Sequence, residues 1–363
     1  MFATYAGGYS RRPLPAQPDV LSRAELDLAA GRIAVDAYRA TADAFVREIL
    51  DEMAVVELSI VGEGGVRARD RILPLIEGLG GLVAGTSTTL PDGEPATKPL
   101  VDGPVRWGGA ITVRDWQFAD GETDLLVKQT LMGPYTLAAL AAPRRARRAA
   151  LAELFGEELN SEIHALAAAG CPMVEVDEPM ALQIGDDLDE WRVFHDAHRR
   201  LTTGFDGSTE PHLSLGLWGG EIPGPGFGPL VDLPYQSYLV DALAGPQTWR
   251  FIDAVPATRG IIVGAADAQT ERLDETEVLV WAMAWAAQGE RGSARVGVAP
   301  NGSLASVGRH FAHRKCQRLG EAVRIGSMGP LQEVAEALDE QPARSKIPEL
   351  RALAASVMEA RAS

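Results

Sequence analysis

The chain has 363 residues, with 34 Lys+Arg against 50 Asp+Glu, a net charge of −16 and 46% apolar residues. That balance suits a globular chain able to bury its own core. Without a basic stripe it excludes the nucleic-acid and anionic-membrane partners that clustered Lys/Arg would serve. Small molecules remain as the expected partners, and a homo-oligomer is compatible with the sequence. Two cysteines, Cys171 and Cys316, are too few for a disulfide framework or a Cys-rich zinc module. The N-terminal MFATYAGGYSRRP lacks a charged leader ahead of an apolar run. The most apolar helix-like stretch, 278–287, is about half the roughly 20 residues a membrane span needs. A cytoplasmic location is the expectation.

In chain order, short apolar runs alternate with longer helical patterns. The spacing predicts strands at Ala3–Ala6, Val55–Val61, Leu125–Leu131, Met173–Val176, His212–Leu217, Tyr238–Asp241, Gly260–Gly264 and Arg295–Ala299. Helices are predicted over Arg23–Met53, Arg144–Ala169, Asp187–Thr203, Gln247–Ala254, Asp274–Gln288 and Val307–Arg324. Strands alternating with helices of this length imply βαβ units and a parallel sheet. The expected fold is therefore α/β, a (β/α)₈ TIM barrel in one domain over 1–363. No G-x-G-x-x-G follows the first strand, which argues against a doubly wound dinucleotide fold. The stretch 81–118, rich in Gly, Pro and Thr, is predicted as an antiparallel insertion after strand two, with strand-like pieces at Gly81–Thr86 and Gly109–Val113.

Reacting groups in such barrels sit at the C-terminal ends of strands. That rule selects Glu63, the Asp177-Glu178-Pro179 turn, Asp241, Asp267 and Asn301 as candidates, together with His212 and Ser214 within the fifth strand. Asp177 and Glu178 end an apolar strand where Pro179 turns the chain, so they are candidates for ammonium binding or proton transfer, or else for capping the next helix. Glu63 lies among Gly62, Gly64 and Gly65, where backbone can approach a ligand closely. His212 and Ser214 share one strand face at i, i+2 spacing. His195/His198 and His310/His313, at i, i+3 on charged helices, are expected to be surface residues. Trp218 begins a Gly/Pro-rich loop at 215–227 that is placed to cover a ligand at the barrel mouth.

These segments together resemble the catalytic barrel of the cobalamin-independent methionine synthases. The resemblance runs through Val127-Lys128-Gln129-Thr130-Leu131-Met132-Gly133-Pro134-Tyr135-Thr136, through Val176-Asp177-Glu178-Pro179, and through Gly260–Gly264 and Ala299-Pro300-Asn301-Gly302-Ser303-Leu304. It implies a (β/α)₈ barrel, a reduced folate as methyl donor or acceptor, and a zinc that presents a thiol as thiolate. Carried over, the zinc His falls on His212, the first Cys on Ser214, the Glu near Asp241 and the second Cys on Gly302. Two of four ligands are then missing, so zinc is not expected. Glu63 and Asp177 match the acids that hold a substrate amino group, and Gly7-Gly8-Tyr9-Ser10 corresponds to a substrate-carboxylate segment with its serine displaced. The expected function is a divergent enzyme that transfers or removes a methyl or alkyl group on a small folate- or amino-acid-like substrate. His212, Asp177 and Glu63 would be its catalytic groups, and Glu63, Asp177, Glu178, Trp218 and Asn301 its substrate-binding ones. The alternatives are a non-catalytic folate- or amino-acid-binding barrel, or a zinc-dependent thiol methyltransferase with an altered ligand set.

Overall fold

The computed structural model describes residues 1–12, 19–142, 144–207 and 210–327. The C-terminal end of the expected 1–363 domain lies outside them.

Seven parallel strands form one curled sheet in the order β1-β11-β10-β9-β8-β7-β6. They are β1 (Phe2–Ala3), β6 (Gln129–Met132), β7 (Met173–Asp177), β8 (His212–Leu217), β9 (Ser237–Asp241), β10 (Gly260–Ala266) and β11 (Val296–Pro300). Two further strands, β2 (Ile60–Val61) and β5 (Leu126–Val127), pair in parallel. Lys128 joins β5 to β6, and its N–H donates to Val61 O over 2.8 Å. Ser59 N–H donates to Ala3 O over 3.0 Å, linking the start of β2 to β1. The ring thereby closes around eight strand positions, as the sequence pattern predicted.

Side-chain alternation sorts each strand into two faces. On β7, Val174 and Val176 join the large outer core under the helices, whereas Met173 packs on the axis with Ala6, Trp218, Leu239, Ile262 and Ala299. The outer layer includes α5 (Pro134–Ala141), α6 (Arg145–Ala168), α7 (Leu188–Leu201), α9 (Pro246–Ala254), α10 (Thr276–Ala286) and α11 (Arg309–Gly326). An ion pair crosses the interior: Lys128 Nζ lies 2.7 Å from Glu175 Oε1 and donates to Tyr5 O over 2.7 Å, both side chains being buried.

Several predicted boundaries move, and the strands expected over Ala3–Ala6 and Leu125–Leu131 become β1 and the successive strands β5 and β6. The helix expected over Arg23–Met53 is two, α1 (Val20–Ala29) and α2 (Val35–Val55), separated at Gly31, whose φ of 67° suits glycine. The strand expected over Val55–Val61 shortens to β2 because α2 runs through Val55. The insertion is a long antiparallel hairpin, β3 (Leu79–Thr89) and β4 (Pro95–Trp107), preceded by α3 (Leu73–Gly78). Gly109–Val113 forms no strand, and Val113 instead opens α4 (Val113–Gly121). Among the described residues no helix is long and apolar enough to cross a membrane.

Candidate active site at the barrel mouth

Strand direction decides which candidates can meet. Along β8, His212, Ser214 and Gly216 alternate with Leu213, Leu215 and Leu217, which belong to the outer core, and the axis-facing row ends at Trp218. At about 3.3 Å per residue, His212 and Trp218 stand roughly 20 Å apart along the strand. Trp218 is at the C-terminal mouth. His212 is at the opposite end, where its Nε2 lies 2.8 Å from Ser237 Oγ, and Ser237 Oγ donates to Ser214 Oγ over 2.9 Å. His212 and Ser214 do share a face, but the structure does not bring His212 to Asp177 or Glu63.

The mouth is filled by the chain itself. The hairpin tip between β3 and β4 reaches over it. Trp218 Nε1 donates to Asp92 Oδ2 over 3.0 Å, and Ser303 N–H reaches the same oxygen at 3.4 Å. Glu94 is gripped by Arg71 through two parallel contacts, Nε to Oε1 at 2.9 Å and Nη2 to Oε2 at 2.7 Å. Arg71 Nη1 donates to Asp177 Oδ2. Side-chain exposure is 8% for Arg71, 5% for Glu94 and 0% for Asp177, so one guanidinium serves two buried carboxylates. Desolvation opposes the charge on Arg71, yet Glu94 and Asp177 outweigh it and hold the proton firmly. Burial raises the Asp177 carboxyl well above the usual range, and Arg71 offsets this only in part. Asp177 Oδ1 is buried with no hydrogen-bond partner.

Beside this cluster lies a cleft of about 60 Å³ at the ends of β1, β2 and β6, lined by Glu63, Gln129, Thr130 and Arg71 among others. Glu63 Oε1 accepts from Gly65 N–H over 3.0 Å, and its Oε2 sits 3.3 Å from Arg67 Nε without a hydrogen bond. Burial pushes the Glu63 carboxyl up to about 7, with Arg67 offsetting part of that rise. Gln129 Oε1 and Arg67 Nη2 are also buried without partners. Glu63 and Asp177 therefore do not touch. Arg71 connects them, since it lines the Glu63 cleft and binds Asp177.

Glu178 is held by the fold's own donors. Its Oε1 accepts from Tyr135 N–H at 2.9 Å and meets His198 Nε2 at 2.9 Å, while Oε2 accepts from Thr136 N–H at 2.7 Å and Thr136 Oγ1 at 2.5 Å. It is fully buried and caps α5, where free N–H groups favour an anion. A side chain at Gly133 would collide with it. The expectation of a surface His198 also fails: the ring is fully buried and pairs through Nδ1 with Tyr235 O–H at 2.6 Å. Its neighbours Trp191, Phe194 and Leu201 recur on the same helix face, and that spacing was the available signal.

The remaining candidates are buried in contacts within the chain. Trp218 is buried under the hairpin tip rather than free in a loop. Asn301 donates through Nδ2 to Asp241 Oδ1 over 3.1 Å and accepts from Ala268 N–H over 2.8 Å, tying β11 to β9 and the β10 loop. Asp241 also accepts from Leu243 N–H over 3.1 Å, and burial raises its carboxyl to about 7. Ser10 is buried and donates to Val307 O over 2.7 Å, so it does not face the cleft.

The four zinc positions do not converge. His212 is hydrogen-bonded to the first residue of β9 and Asp241 is the last, roughly 13 Å along that strand. Ligand atoms on one zinc lie about 2 Å from it. Ser214 Oγ is engaged with Ser237, and a Cβ at Gly302 would lie 3.4 Å from the Trp218 ring. Among the described residues, no three His, Cys, Asp or Glu side chains are grouped as a metal site requires. The four positions carried over from the resemblance thus do not form one site.

Comparison with known proteins supplies the lineage. The profile of a family described as the catalytic domain of the cobalamin-independent synthases matches residues 15–201. A 5-methyltetrahydropteroyltriglutamate–homocysteine methyltransferase of Proteus mirabilis is 30% identical over 177 residues, 47% of this chain and 23% of the relative. One from Photorhabdus laumondii is 28% identical over 176 residues. The chain thus covers about a quarter of those relatives' length. A B12-independent methionine synthase from Shewanella sp. W3-18-1, solved with selenomethionine, superposes with a TM-score of 0.71 at 18% identity, over 89% of this chain and 97% of that one. A putative one from Listeria monocytogenes gives 0.69 at 15% identity, over 90% and 96%. These two share the barrel fold. Glu63, Asp177 and Glu178 lie inside the span 15–201, whereas His212, Ser214, Asp241 and Gly302 lie beyond it. With over half of its residues matched by the family profile, the chain belongs to the cobalamin-independent synthase family through its catalytic domain.

Proposed function

We propose that this barrel is a divergent transferase that moves a methyl or alkyl group to or from a small, amine-bearing substrate held at the Glu63 cleft, without a zinc thiolate. The observation that carries the reading is the cleft itself. Glu63 follows the C-terminal end of β2, where barrel enzymes do their chemistry, and two buried acceptors in the cleft, Glu63 Oε2 and Gln129 Oε1, lack hydrogen-bond partners. An ammonium group supplies the donors they lack. A carboxyl near pH 7 can also hold or release a proton at working pH. The curated relatives are named for a methyltetrahydropteroyl methyl donor, so a reduced folate is the donor or acceptor we assign here.

Arg71 and the hairpin tip set access. The cleft holds only about 60 Å³ with the tip docked, too little for a folate and an acceptor together. Withdrawal of Glu94 from Arg71 would open the mouth above Asp177 and expose its unpartnered oxygen. The buried tip also favours a second reading, a barrel that binds such ligands without turnover.

Calorimetry with homocysteine, methionine and methyltetrahydropteroyl-triglutamate tests the proposal, paired with mass spectrometry for methyl transfer in chelator-treated protein. Binding that Glu63→Gln weakens at least about tenfold, with transfer that survives chelation, is the expected result. Binding without transfer selects the second reading. Transfer that requires added zinc overturns the zinc-free assignment.

A further inference from the structure

We propose that the cavity at the N-terminal end of the barrel, remote from the mouth, is a binding site for a small apolar carboxylate. This cavity has about 370 Å³, several times the volume of the Glu63 cleft. That lies within the roughly 300–1,000 Å³ of small-molecule sites. Its walls are mainly hydrocarbon, with Phe2, Ile60, Leu126 and Met173 around the lower opening of the barrel. Met173 belongs to the packed axial core, and the cavity shares no lining residue with the Glu63 cleft.

The polar lining is one-sided. It includes Arg295, His212 and Ser237 but no Asp or Glu, in a chain whose net charge is −16. A cation without an acid beside it selects an anion, and the apolar walls select a hydrocarbon body. His212 extends the polar side and sits at the head of the His212–Ser237–Ser214 chain of hydrogen bonds. Ser237 Oγ occupies the ring Nε2 over 2.8 Å. The other ring nitrogen can then pair with a bound water or hydroxyl. Benzoate and hexanoate have the required chemistry, an apolar body with one carboxylate.

The test is calorimetry on the full chain with benzoate and hexanoate, against benzyl alcohol and hexanol as uncharged matches. The acids are expected to bind at one site, at least about tenfold more tightly than the alcohols. Arg295→Gln should erase that preference while leaving the fold intact, because Arg295 is exposed. His212→Leu should weaken both classes. Glu63→Gln, at the opposite end of the barrel, should change neither. The proposal is overturned if neither acid binds at about 10 mM, if acids and alcohols bind equally, if Arg295→Gln keeps the preference, or if Glu63→Gln removes it. The last result would place the acids at the mouth.

Discussion

Replacing Arg71 with methionine removes the only hydrogen-bonding cation seen between Glu94 and Asp177 among the described residues. Both carboxylates are at least 95% buried, so neither can recover solvent without the hairpin tip lifting. Removing one partner of a buried ion pair costs about 3–5 kcal/mol, because a charge is left uncompensated. Arg71→Met strands two acids, and we expect the upper half of that range at pH 8. The sign with pH follows from Asp177, whose carboxyl is already raised by burial. Between the ordinary carboxylate value of about 4 and the raised folded value, the folded state holds more protons than the unfolded one, so stability falls as pH rises. Losing Arg71 widens that window. The penalty should therefore shrink as pH falls towards about 4 and be greatest above neutrality. Urea unfolding followed by tryptophan fluorescence, at pH 5 and pH 8, measures it. A loss under about 1 kcal/mol that does not change with pH would refute a docked tip and a buried cluster.

Other outcomes follow from neighbouring residues. Glu63→Gln should raise stability at pH 8 by about 1–3 kcal/mol, since a carboxyl held near 7 disfavours the folded state as pH climbs from about 4 through 7; matched urea titrations at pH 5 and pH 8 check that the gain appears only at the higher pH. Glu178→Ala strands donors from Tyr135, Thr136 and His198, and a loss of about 3–5 kcal/mol in the same assay is expected. The milder Glu178→Gln should leave mouth-ligand affinity unchanged in calorimetry, whereas a substrate-binding role would lower it. Glu94→Gln weakens the tip's hold on Arg71, so ligands of the mouth should bind more tightly, by the factor through which the open population grows. Stopped-flow association that is slower in this variant than in the parent would contradict gating by the tip.

Much of the barrel was legible because burial on both faces of a parallel strand leaves a strong apolar run. His212–Leu217 was read with its observed ends, and α6 and α7 to within a residue or two. Function was less legible, for a directional reason. Motif likeness placed His212 at a zinc ligand, but a residue that opens a parallel strand sits at the end of the barrel away from the chemistry. Pro211 and the strand start were in the sequence and already carried that information. The hairpin was recognised as an insertion, yet its tip, Pro91-Asp92-Gly93-Glu94, reads locally as an ordinary polar turn. Its contacts with Trp218, Arg71 and Ser303 span up to 211 residues, which no local pattern encodes. Glu178 was singled out because it ends a strand beside Asp177. Adjacent residues on a strand point to opposite faces, and that alone separates the acid at the mouth from the one that caps α5.

Zinc quantified in protein purified without chelator from zinc-supplemented cells tests the central claim most directly. A mouth closed by Trp218, Asp92 and the Arg71 cluster predicts well under one zinc per chain and an unfolding midpoint that chelation leaves in place. One tightly held zinc per chain, lost on His212→Ala or Asp241→Asn, would contradict it.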